Sequence, residues 1–137
     1  MEREYDKELL DFIQNSPSVY HMIAGQKQRL LAAGYTQLLE SETWKLRPGG
    51  KYFLTRNGSA IVAFRVPEGP FRGFMIMASH SDSPALKVKE HPEITVEGTY
   101  RKLNVELYGG ALLAPWFDRP LSVAGRLFLR TAEGVRP

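Results

Sequence analysis

The sequence predicts an α/β fold, with two helices packed on a mixed sheet. Residues 6–33 hold two stretches of apolar residues at helical spacing. From residue 35 onward the chain changes to short β-type runs, and Asn57-Gly58 lies between two of them. Helices first and strands afterwards place helices against a sheet, in an α/β or α+β layer.

In residues 6–14, Leu9, Leu10, Phe12 and Ile13 recur near helical spacing, and Asn15-Ser16-Pro17 stops the run. Ser18 is the expected N-cap of a second helix that reaches Ala33. Its apolar positions are Val19, Met22, Ile23, Leu30 and Leu31, and Gly34 ends it. Strands are expected at 36–39, 52–55, 60–66 and 74–79, then at 85–89, 94–97, 103–108 and 123–130. Asn57-Gly58 predicts a type I′ hairpin turn, because both residues tolerate positive φ. Arg47-Pro48-Gly49-Gly50 and Val66-Pro67-Glu68-Gly69-Pro70 read as loops. A strand at 123–130 needs partners and only residues 131–137 follow it, so the chain is expected to stop partway through a sheet.

Composition narrows the function classes. The chain has 137 residues, 43% of them apolar and 24% charged, which fits one globular domain and neither a disordered nor a fibrous chain. The apolar runs fall far short of the roughly 20 residues of a membrane span, so no membrane partner is expected. The N-terminus carries both charge signs and lacks the apolar stretch of a secretory signal, which predicts a cytoplasmic address. With no cysteine, any metal site must use His, Asp or Glu. A net charge of +3, from 18 cations against 15 anions, is too small an excess to predict a nucleic-acid partner. Phe53, Phe64, Phe71 and Phe74 beside Arg56, Arg65 and Arg72 could form a single-strand-binding surface, but strand alternation between core and surface explains them better.

The candidate chemistry lies at His80 and Asp82. The run Phe74-Met75-Ile76-Met77-Ala78 is expected to form a buried strand that delivers His80-Ser81-Asp82-Ser83-Pro84 at its carboxyl end, where α/β sheets commonly build sites. In extended backbone, residues two apart face the same way. His80 could then ligate a metal while Asp82 accepts the second ring N–H and fixes the tautomer. A His-x-Asp pair alone is a weak motif. His21 is expected to pack or cap the second helix, and His91, before Pro92, to lie exposed in a turn.

Longer blocks give the pair its context. The segment Ala78-Ser79-His80-Ser81-Asp82-Ser83-Pro84-Ala85-Leu86-Lys87-Val88-Lys89 resembles the first metal-ligand block of the aspartyl-aminopeptidase family of zinc exopeptidases. Tyr108-Gly109-Gly110-Ala111 and the block from Trp116 through Asp118-Arg119-Pro120 to Arg126 resemble the family's next signature. Ser16-Pro17-Ser18-Val19-Tyr20-His21 and the segment at 51–59 are similar more weakly, so the resemblance runs along nearly the whole chain. Departures are Ser81 for the usual Thr, Ala111 for a third glycine and Pro120 where many members have Asp.

The resemblance implies the N-terminal part of a zinc-exopeptidase catalytic domain over residues 1–98, with 99–137 entering a β-rich dimerisation domain. It further implies a homo-oligomeric aminopeptidase that uses two divalent metal ions, zinc by expectation, to release acidic N-terminal residues from a peptide substrate. His80 would be a metal ligand and Asp82 a catalytic residue. The other ligands and the general base belong to family segments beyond residue 137, so this fragment is expected to bind metal weakly or not at all and to be inactive alone. Asp118 is expected to pair with Arg119 or Arg126, and Gly109-Gly110 to form a bend. The alternative is a non-catalytic scaffold or self-association module that uses exposed strand edges.

Overall fold

A computed structural model describes residues 2–137, with side chains from residue 4 onward. The elements in order are α1 (Glu2–Gln14), α2 (Val19–Ala32), β1 (Thr36–Gln37), β2 (Lys51–Arg56), β3 (Ala60–Arg65), β4 (Ala85–Val96), β5 (Tyr100–Tyr108), α3 (Ala114–Phe117), β6 (Leu129–Thr131) and β7 (Gly134–Arg136). They divide into two compact units. One comprises Met1–Ser81 with Ala124–Pro137, the other Asp82–Val123.

In the first unit the helices form where the apolar spacing predicts. Ser18 occupies the N-cap of α2 in extended backbone, but its side chain makes no bond to the helix amides. Its Oγ instead lies 2.8 Å from His21 Nδ1, a contact between side chains that caps no helix amide. Gly34 at φ 79° reverses the chain after α2, with its N–H bonded to Leu31 O and the Tyr35 N–H to Leu30 O. A side chain is disfavoured in that left-handed conformation, which is why glycine stands there.

β1, β2 and β3 form a mixed sheet, β1 parallel to β2 and β2 antiparallel to β3. The β2–β3 turn has Asn57 at φ 53° and Gly58 at φ 66°, both positive as a type I′ turn requires. The core centres on Ile23, Tyr52 and Phe53, and Phe53 is fully buried. Burial of a phenylalanine contributes about 1.5–3 kcal/mol. Phe64 packs 5.7 Å from Tyr52 and 6.4 Å from Trp44, ring centre to ring centre. Phe53 and Phe64 are thus packing residues of this sheet. Arg56 at the end of β2 pairs with Glu40, whose carboxyl the guanidinium holds below its ordinary value by hydrogen bonding.

In the second unit the runs expected at 85–89 and 94–97 form one long strand, β4, whose register with β5 shifts between Val88 and Glu93. Pro92 lies in that gap, where its missing N–H breaks no ladder bond. His91 is exposed but sits in this strand and not in a turn. Asn104 Nδ2 donates to His91 O at 3.2 Å and bridges the irregular stretch. Glu97 at φ 53° and Gly98 at φ 67° turn the chain from β4 into β5.

Two expected strands do not form. Residues 66–84 carry no regular structure, so the strand at 74–79 is absent and its side chains lie open, with Met75 104% and Met77 99% exposed. A strand apolar on both faces needs paired neighbours and covering layers, and among the described residues no strand pairs with it. The strand at 123–130 is likewise absent except at its end, where Leu129–Thr131 pairs antiparallel with Gly134–Arg136. The first run shortens as well, from 36–39 to Thr36–Gln37.

Candidate functional site

His80 closes the irregular stretch of the first unit and is exposed, not delivered by a buried strand. Regular pairing does not fix this part of the chain. The neighbouring residue supplies a tie: Ser81 Oγ donates to Ser59 O at 3.0 Å in a part-buried position. Ser59 follows the β2–β3 turn, and its N–H closes that turn on Arg56 O at 3.1 Å.

The same turn is held from a second direction. Arg126 Nη1 donates to Asn57 O at 2.5 Å. Its guanidinium lies 4.3 Å from the Tyr20 ring centre and 4.8 Å from that of Phe128, in reach of cation–π attraction to both. Arg126 thereby fastens residues that follow Ala124 to α2 and to the hairpin.

Asp82 opens the second unit, half-buried. Tyr108, the last residue of β5, donates its hydroxyl to Asp82 Oδ2 at 2.5 Å. The carboxylate holds the Tyr108 phenol above its ordinary value near 10, first by this hydrogen bond and then by its charge. Immediately afterwards Gly109 bends the chain at φ 75°, the bend expected of Gly109-Gly110, and a Cβ there would lie 3.5 Å from Pro84. Asp118 pairs with Arg119 at 3.5 Å in the open, one of the two partners expected for it.

Tyr108 and Ser59 are the site neighbours that sequence reasoning missed. Tyr108 could have been found, since it stands in the second signature block. Nothing in Ser59 itself marks it.

An imidazole and a carboxylate have the donor chemistry that zinc and its supporting shell use. Of the two, His80 has the donor type of one zinc ligand. Among the described residues no group of three or more His, Cys, Asp and Glu side chains could hold a metal ion. A catalytic zinc takes about three protein ligands, so the set is incomplete among the described residues. A recess of about 430 Å³ at the β4 irregularity is lined by Lys87, Lys89, His91, Asn104 and Glu106 among others, and it includes neither His80 nor Asp82. Among the described residues no helix is long and apolar enough to cross a membrane.

Comparison with known proteins supplies the family. The chain is 44% identical over 138 residues to the Probable M18 family aminopeptidase 2 of Clostridium acetobutylicum, covering 99% of this chain and 32% of that protein. It therefore spans about a third of that relative's length. Chaetomium thermophilum mApe1 superposes with a TM-score of 0.87 at 38% identity, over 97% of this chain and 32% of that one. The S. cerevisiae mApe1 dodecamer gives 0.84 at 28% identity, over 95% and 31%. A family model described as Aminopeptidase I zinc metalloprotease (M18) matches residues 12–136, and the chain belongs to that family of zinc metallopeptidases.

Proposed function

We propose that this chain is the N-terminal part of an aminopeptidase that, at the length of its relatives, uses two zinc ions to release acidic N-terminal residues from peptides. The observation that carries the reading is the His80-Ser81-Asp82 sequence within the stretch matched by a zinc metalloprotease family. In this reading His80 supplies one metal ligand. Asp82, steadied by Tyr108, orients the imidazole. Zinc, when bound, supplies polarisation of the scissile carbonyl and acidifies water.

The catalytic domain runs to about residue 98 and the remainder enters a dimerisation domain. The protein works in the cytoplasm as a homo-oligomer; the dodecameric yeast relative supports self-association. The chain alone is inactive and holds metal weakly or not at all, because a zinc site needs ligands beyond those the described residues bring together.

The test is release of N-terminal aspartate or glutamate from short peptides by the full-length protein. Activity is expected to vanish on chelation, to return with zinc, and to fall at least about 100-fold in His80→Ala. Undiminished activity in His80→Ala, or none in the metal-loaded full-length protein, overturns the reading, and the latter outcome favours a scaffold.

A further inference from the structure

We infer that Ser81 is a positioning residue for His80, anchored on the turn between β2 and β3; this rests on the reading of His80 as a metal ligand. Residues 67–84 belong to no strand, yet a metal ligand must stay within about 0.5 Å of its productive place. The Ser81 hydroxyl answers that need. It donates to Ser59 O at 3.0 Å, and Ser81 shares a peptide bond with His80, so fixing one restricts the other.

The anchor is itself rigid. The β2–β3 hairpin is paired from Lys51↔Arg65 to Arg56↔Ala60, and its turn is locked by the positive φ angles of Asn57 and Gly58. On its other side Arg126 holds Asn57 O while lying against Tyr20 and Phe128. Gly58 is required by its backbone, at φ 66°, and not by space, since a Cβ there would meet Arg126 Nη1 at an ordinary 3.4 Å. Two carbonyls of one turn, Asn57 and Ser59, are thus each taken by a side chain from later in the sequence. The hairpin tip serves as the platform on which the His80 segment is registered.

The experiment compares full-length wild type with Ser81→Ala, Ser81→Thr and His80→Ala. Zinc affinity is read by competition with a chromogenic chelator, beside kcat, KM and the melting temperature. Ser81→Ala is expected to weaken zinc about tenfold and to lower kcat by a similar factor with KM within about twofold, the loss of one hydrogen bond's worth of positioning. Ser81→Thr keeps the donor and is expected to restore both. Should Ser81→Ala fold poorly, Ser81→Cys, of nearly the same size but a weak donor, takes its place with the same expectation. Wild-type zinc affinity and kcat in Ser81→Ala, or failure of Ser81→Thr to restore them, overturns the inference. If His80→Ala also retains zinc and activity, the metal-ligand reading falls with it; if only His80→Ala is impaired, that reading stands and the Ser81 inference alone is lost.

Discussion

Tyr108 and Asp82 make the most readily measured contact of the proposed site. Because the carboxylate raises the phenol's pKa, the folded state favours the protonated tyrosine. The resulting stability is fully present below the ordinary value near 10 and is lost as pH rises through the raised folded value. In an ultraviolet titration of phenolate, one tyrosine is expected to ionise at higher pH in wild type than in Asp82→Asn. Superimposable curves would contradict the contact. The His80-Ser81-Asp82 spacing was legible because it is local. The supports of these residues were not. Ser81 meets Ser59 and Tyr108 meets Asp82 across long stretches of chain, and hydroxyls of these types occur throughout the sequence without marking a partner. Arg126 shows the same limit: its partners Asn57 and Tyr20 are set by the return of the chain, which no local pattern encodes.

Among the elements, the β2–β3 hairpin was read correctly because Asn57-Gly58 combines turn chemistry with flanking β-type runs. The turn at Glu97–Gly98 was missed, since glutamate rarely takes positive φ and gives no signal. The run at 74–79 misled for a different reason. Its residues have strand character, but pairing is a property of neighbours, and the described residues supply none. The hairpin's importance predicts a contrast between two glycines. Gly58→Ala places a Cβ in a left-handed conformation and is expected to destabilise the chain by about 1–2 kcal/mol. Gly25→Ala, within α2 and with nothing within 4 Å, is expected to stabilise by about 1 kcal/mol. Urea denaturation of both variants checks this; equal effects would deny the turn its special conformation.

For the molecule as a whole, the apolar side chains of Phe74, Met75, Ile76 and Met77 lie open beside the segment that carries His80. The chain spans about a third of the relative's length. The fold class was visible in the sequence because helix and strand periodicities are local; which runs pair was not, because pairing depends on residues distant in sequence. The most direct measurement is an anomalous-scattering map at the zinc edge from crystals of the full-length protein. It should show zinc about 2.0–2.1 Å from a ring nitrogen of His80. Zinc bound wholly by other residues, with that imidazole turned away, would contradict the account.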